Sequence, residues 1–191
     1  MKSLEYKNDN LFFDDIAIEE IAKNIKTPFY IYSEDSIKQN IKGYMSQASQ
    51  KTLFCYSVKA NSNLSLLKLI ASQGMGFDVV SKGELHRAIK AGANTKKIVY
   101  SGVGKTKEEI AYALNNKILC FNVESEEELV AINSQASLMK LKADISIRIN
   151  PDVKVKTHPY IATGMRENKF GIAFEDAFEI YKKAKTLDSI N

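Results

Sequence analysis

Short runs of β-branched and aromatic residues alternate along the chain with segments of helical spacing. The runs cover residues 29–33, 53–59, 76–81, 98–102, 119–124 and 144–150. Between them Leu85, Ala88, Ile89 and Gly92 recur at i, i+3, i+4 and i+7, and the pairs Ile110/Leu114 and Leu129/Ile132 continue the pattern. Alternating strands and helices predict βα units on a parallel sheet. The junctions repeat as well. Ser81-x-x-Glu84, Thr106-x-x-Glu109 and Ser125-x-x-Glu128 each follow a predicted strand and open a predicted helix. Each reads as a capping box, in which the hydroxyl accepts from the N3 amide and the glutamate reaches back to the cap.

Strand starts near residues 53, 76, 98, 119 and 144 are spaced by 23, 22, 21 and 25 positions. Such a period suits a (β/α) TIM-type barrel, whose complete form needs eight strands in roughly 250 residues. The 191-residue chain supplies about five of them, then a loop over 151–171 and a last helical stretch over 174–187. The fold class is therefore α/β, as an incomplete barrel or an open five-stranded doubly wound sheet. Residues 29–33 precede the period and follow the turn signal Thr27-Pro28, which sets them apart as a separate element.

Period-two alternation sorts each strand into two faces. In 53–59 the bulky set Phe54, Tyr56 and Val58 is expected under the helices, and Cys55, Ser57 and Lys59 on the inner face. Lys59 then stands at the C-terminal end of its strand, where barrel enzymes keep reactive groups. The same parity sets Asp78 opposite Phe77 and Val79, Asn122 and Glu124 opposite Phe121 and Val123, and Arg148 and Asn150 opposite Ile145, Ile147 and Ile149. Interior charges are costly unless paired. A ligand explains a lysine, an aspartate and an arginine at three strand ends, and a structural ion network explains them equally. A lysine among apolar strands would be an amine nucleophile toward an aldehyde, and helix N-termini would suit an anionic phosphate.

Composition narrows the classes. Hydrophobic residues at 45% and charged residues at 26% are ordinary for a globular protein and exclude disorder, collagen and coiled coil. A net charge of +4 with no basic run gives little support to a nucleic-acid partner. Cys55 and Cys120 are 65 positions apart, lack CxxC partners, and read as buried free thiols in a reducing cytoplasm. With only His86 and His158 beside them, no zinc site is expected. No signal peptide or apolar stretch of the ~20 residues that span a bilayer is visible, so no membrane partner is expected. Gly102-Val-Gly-Lys-Thr106 imitates the end of a P-loop, but the Walker spacing puts Val99 where a glycine belongs.

A series of motifs resembles one family. The stretches are Thr27-Pro-Phe-Tyr-Ile-Tyr-Ser33, Tyr56-Ser-Val-Lys-Ala-Asn61, Gly74-Met-Gly-Phe-Asp-Val-Val-Ser-Lys-Gly-Glu-Leu85 and Tyr100-Ser-Gly-Val-Gly-Lys-Thr106. Phe121-Asn-Val-Glu-Ser125, Arg148-Ile-Asn-Pro-Asp152, Thr157-His-Pro-Tyr-Ile-Ala-Thr-Gly164 and Asn168-Lys-Phe-Gly171 follow. In this order they resemble the N-terminal part of diaminopimelate decarboxylases, pyridoxal-phosphate enzymes of the alanine-racemase-like barrel class. The resemblance implies Lys59 as the residue that carries pyridoxal 5'-phosphate, with Asp78 and Arg148 near the cofactor and His158 in an active-site loop. It implies an N-terminal segment over 1–33, a partial barrel over 34–191, a small amino-acid substrate, a cytoplasmic location and a homodimer in the full-length protein. His86 is expected to be structural, and Lys105 and Lys169 solvated or structural.

Family members are roughly twice this length, so the chain alone is not expected to catalyse the reaction, and an open sheet edge is expected to favour association or marginal stability. Meso-2,6-diaminopimelate is the expected substrate and L-lysine the product. Arginine or ornithine decarboxylation, a truncated non-catalytic module, and a phosphate-binding sheet using residues 102–106 are the alternatives.

Overall fold

The computed structural model describes residues 4–49, 51–151 and 170–191. They divide into two compact units, split between Thr52 and Leu53.

The first unit opens with β1 (Leu4–Lys7), β2 (Asn10–Phe13) and β3 (Ile16–Ala17), an antiparallel sheet in that order. Two-residue turns join the strands. Asn8, Asp9 and Asp14 have φ of 49°, 61° and 54°, and Asn and Asp tolerate this left-handed backbone best after glycine. Helices α1 (Ile18–Asn24) and α2 (Glu34–Ser46) follow. Residues 29–33, expected as a strand, are not one: Tyr30 is 91% exposed, and Ser33 serves as the cap of α2, accepting from the Ser36 amide at 3.1 Å. A β-like composition without a pairing partner does not make a strand.

The second unit alternates β4 (Cys55–Ser57), α3 (Leu64–Ser72), β5 (Gly76–Val79), α4 (Lys82–Lys90), β6 (Ile98–Tyr100) and α5 (Lys107–Asn115). It continues with β7 (Cys120–Val123), α6 (Glu126–Leu138), β8 (Ile145–Ile147), β9 (Ile149–Asn150), β10 (Ile172–Ala173) and α7 (Ala177–Lys185). Strands β4 to β8 form one parallel sheet in sequence order, the barrel-type arrangement of an incomplete α/β barrel. Beyond β8, Ile190 makes an isolated parallel bridge to Ala143. The run expected at 144–150 is interrupted at Arg148. Its second part, β9, pairs in parallel with β10 instead.

The face toward the helices is fully apolar. Phe77, Val79, Ile98, Tyr100 and Val123 are 0% exposed, and they meet Leu85 and Ala88 of α4, Ile110 and Ala113 of α5, and Leu129 and Ile132 of α6. The Tyr100 and Phe121 rings stack with centroids 6.1 Å apart. Burying side chains of this size stabilises the fold by about 1.5–3 kcal/mol each.

The three helix starts follow one scheme with a variation. Ser81, Thr106 and Ser125 accept from the amides of Glu84, Glu109 and Glu128 at 3.2, 3.3 and 3.2 Å. Only Glu109 closes a true capping box onto its own cap amide. Glu84 reaches one residue further back, to the Val80 amide at 2.9 Å, and Glu128 likewise meets the Glu124 amide. Glu109 also ties two junctions together, accepting from the Lys82 amide at 3.0 Å and the Tyr100 hydroxyl at 2.9 Å.

Burial alone would raise the Glu109 carboxyl, but the Thr106 and Lys82 amides and the Tyr100 and Thr106 hydroxyls outweigh it and hold it below its ordinary value. A carboxylate depressed on folding adds stability that is present above its unfolded value of ~4.3 and is lost as pH falls through the lower folded value. Glu109→Gln is therefore expected to flatten the acid limb of a stability-versus-pH curve. An unchanged slope in urea titrations below pH 5 would contradict this.

Candidate functional site

The other face of the sheet is polar, and the strand register assembles it. Ser57 pairs with Asp78 and Asn122 with Ser146 across adjacent strands, which puts these side chains on a shared face. At the C-terminal ends of the strands they join in a row. Ser57 Oγ donates to Asp78 Oδ2 at 3.3 Å, Ser101 Oγ donates to Asp78 Oδ1, and Asn122 Nδ2 donates to Ser101 Oγ at 2.7 Å. Because the Asn122 amide nitrogen occupies the Ser101 oxygen as donor, the Ser101 proton is committed to Asp78. The hydrogen bonds all run toward that carboxylate.

Lys59 departs from its expected placement. Strand β4 ends at Ser57, and residues Val58–Ala60 form a single 3-10 turn. Val58 is fully buried, whereas Lys59 is exposed rather than enclosed by apolar strands. The turn interrupts the strand pattern directly after Ser57 of the polar row, with Val58 buried and Lys59, two residues after Ser57, exposed. Arg148 lies between β8 and β9, with its guanidinium 2.7 Å from Glu124 Oε1. Asp78 shares the inner face with Ser57, as parity assigned it, whereas Arg148 sits at the break between β8 and β9. His158 and Lys169 lie outside the described residues. His86 is exposed and its Nδ1 meets the Tyr112 hydroxyl at 3.2 Å on the helix layer, away from the polar row.

The two cysteines are free and half-buried. Burial, followed by the charge of Asp78 and the neighbouring Cys120, pushes the Cys55 thiol up to about 11. Burial also raises Cys120, with Asp144 adding to it. Both stay protonated at neutral pH, so neither is a ready nucleophile.

The glycine-lysine loop is not a phosphate cradle. Lys105 Nζ donates to Gly102 O at 2.6 Å, Asn122 O at 2.9 Å and Glu128 Oε1 at 2.6 Å, and its side chain is 0% exposed. All three ammonium protons are used inside the fold, and sequence spacing alone could not show this. Gly102 has a packing role too: a Cβ there would stand 2.4 Å from the Val80 carbonyl oxygen. Gly102→Ala must push the exits of β5 and β6 apart, an overpacking expected to cost about 1–3 kcal/mol in urea unfolding. A loss below about 0.5 kcal/mol would show that the two loops yield freely.

A cavity of about 200 Å³ lies at the opposite, N-terminal ends of β7 and β8, lined in part by Lys117, Lys142 and Asp144. It holds none of the row Ser57–Asp78–Ser101–Asn122, which lies at the other end of the sheet. None of the described helices is long and apolar enough to cross a membrane.

A parallel barrel-type sheet with a lysine after one strand, a carboxylate fixed by hydroxyls and an arginine two strands beyond Ser101 has the architecture of the βα-barrel class, which gathers its functional groups at the C-terminal rim. The comparisons specify it. A family model described as "Pyridoxal-dependent decarboxylase, pyridoxal binding domain" matches residues 34–191, and the chain belongs to that family. It is 44% identical to a diaminopimelate decarboxylase of Pseudomonas aeruginosa over its whole length, which is 46% of that relative. It is 52% identical to the enzyme of that name from Helicobacter pylori over 87% of this chain and 42% of the relative. Among solved structures, the diaminopimelate decarboxylase of M. jannaschii in co-complex with L-lysine superposes with a TM-score of 0.88 at 38% identity, covering 100% of this chain and 46% of that one. The chain thus spans under half the length of the relatives it matches.

The residues present fit a pyridoxal cofactor. The exposed primary amine of Lys59 suits its aldehyde, Arg148 suits its negative charge, and the Ser57–Asp78–Ser101–Asn122 row gives a fixed polar floor.

Proposed function

We propose that the protein acts in the pyridoxal-phosphate-dependent decarboxylation of meso-2,6-diaminopimelate to L-lysine, this chain supplying the lysine-bearing side of the site. The observation that carries the reading is Lys59, exposed on a turn with a fully buried Val58, two residues after Ser57 of the hydrogen-bonded row ending on Asp78. The identity of 44–52% to relatives bearing that name supports the substrate.

Lys59 would hold the cofactor, its Nζ being a primary amine of the kind that condenses with an aldehyde. Asp78, with both oxygens bound by hydroxyl donors, is a carboxylate of fixed orientation facing the same rim. Arg148 contributes positive charge two strands beyond Ser101. When bound, the cofactor ring takes up the electron pair released as the α-carboxylate leaves as carbon dioxide. Residues 1–33 are read as an N-terminal segment and 34–191 as part of the barrel. A cytoplasmic homodimer completes the proposal, supported by the two free thiols and by the family.

The test supplies the chain, as a separate polypeptide, with the remaining portion of the Helicobacter pylori relative and follows carbon dioxide release. Release from meso-diaminopimelate with L-lysine as product is expected. Faster release from arginine or ornithine would replace the substrate.

A further inference from the structure

Four constraints converge on one side chain. Glu124, at the C-terminal end of β7, has a side chain only 6% exposed, and its Oε1 accepts from an Arg148 guanidinium nitrogen at 2.7 Å. Its other oxygen, Oε2, is buried without a hydrogen-bond partner. A buried carboxylate with a single cationic partner holds that partner tightly, because release would leave an uncompensated charge out of water. On its other side the guanidinium carbon lies 5.1 Å from the centroid of the Phe170 ring, within range of a cation–π contact. The backbone is fixed as well. The Arg148 amide donates to Val123 O at 2.9 Å, and Arg148 O accepts from the Ile172 amide at 2.8 Å.

Gly171 makes this crossing possible. Its φ is +88°, and a Cβ would stand 2.7 Å from Arg148 O and 3.1 Å from Arg148 Cγ. Both the conformation and the space demand glycine. Phe170 and Gly171 belong to the Asn168-Lys-Phe-Gly171 stretch, for which the function proposed above has no use. Yet the Arg148 side chain remains 44% exposed. Leaving the cation in contact with solvent avoids the cost of taking both charges out of water. Here the carboxylate is hidden and the cation is presented.

We propose that Glu124, Phe170 and Gly171 form a clamp that positions the Arg148 guanidinium toward the bound pyridoxal cofactor. This rests on the site reading above, in which Arg148 serves that cofactor. Glu124 is a positioning residue: it acts through Arg148 and touches no ligand. Preorganising a long, rotamer-rich side chain in advance removes an entropy cost from binding.

Two measurements on the 191-residue chain test the clamp. The first needs no cofactor. In a 15N-labelled sample the Arg148 Nε–H resonance, assigned by its absence in Arg148→Lys, is expected to show the relaxation of a rigid group. Glu124→Gln and Phe170→Leu should each make it mobile while thermal unfolding stays cooperative. An Arg148 signal as rigid in Glu124→Gln as in the wild type overturns the proposal. The second is titration with pyridoxal phosphate. Glu124→Gln is expected to weaken binding about tenfold, the scale of one hydrogen bond to a charged group. In an Arg148→Gln background the same change should have no further effect, and removing both partners together avoids stranding the buried carboxylate. A second tenfold loss in that background overturns the clamp, since Glu124 would then act without Arg148. Absence of cofactor binding by the wild type would instead sink the site reading, and the Nε–H measurement would still decide the clamp.

Discussion

Lys59→Ala is expected to abolish selective trapping of pyridoxal phosphate by borohydride while leaving the fold intact. Trapping requires a free amine that reaches the aldehyde and stays there long enough to be reduced. Lys59 meets this demand because it is exposed on a turn whose next-door residue, Val58, is fully buried and anchors the backbone. Substituting an exposed side chain that makes no hydrogen bond or ion pair changes stability by no more than about 0.5 kcal/mol. Label on the tryptic peptide should fall to the level of other surface lysines. With the remaining barrel supplied, carbon dioxide release should drop by roughly 10²–10⁴-fold, the scale of a positioned proton-transfer group. Lys59→Arg should fail equally, since a guanidinium is not a nucleophile at neutral pH. Undiminished peptide labelling in Lys59→Ala would remove Lys59 from the site.

The largest stability effect is expected at the buried pair Lys105–Glu128. Lys105→Met leaves the Glu128 carboxyl in a dry environment with its cation gone. Burial already raises that carboxyl above its ordinary value, and Lys105 offsets only part of it. The carbonyls of Gly102 and Asn122 lose their donor at the same time. Breaking one side of a buried ion pair costs about 3–5 kcal/mol. Lys105→Met/Glu128→Gln should recover much of the loss, since glutamine still accepts from the Glu124 amide and carries no charge. Urea unfolding measures both. A single variant within about 1 kcal/mol of wild type would show that water replaces the ammonium, against its full burial.

Much of this was legible in the residues, and the failures have physical causes. Period two placed Asp78 and Asn122 on the inner face because β5 and β7 are regular and their outer sets, Phe77/Val79 and Phe121/Val123, are strongly apolar. The same rule ran the strand two residues too far at Lys59, since it gives way to a 3-10 turn at Val58 and no side-chain pattern marks that change. The helix starts were readable from Ser/Thr-x-x-Glu spacing, but the atom each glutamate chooses depends on backbone geometry. The N-terminal hairpins went unread, although Asn8-Asp9 and Asp14-Asp15 are the turn signals that could have found them. Residues 29–33 show the reverse error, strand-like composition without a partner. Lys105 is the plainest case of context outweighing motif. Its loop imitates a phosphate binder, yet Glu128, 23 residues further on, determines where the ammonium goes.

The sharing of glutamates between successive junctions has a consequence for how the rim opens. Glu109 caps α5 and also holds the Lys82 amide at the start of α4, while Lys105, just before α5, is held by Glu128 at the start of α6. No one of these helix starts can fray without releasing a group that its neighbour depends on. Transient openings at these junctions are therefore expected to be collective, with the amides of residues 82, 106 and 109 exchanging with solvent as one cooperative unit. Among the described junctions, a ligand bound at one is expected to stabilise those linked to it.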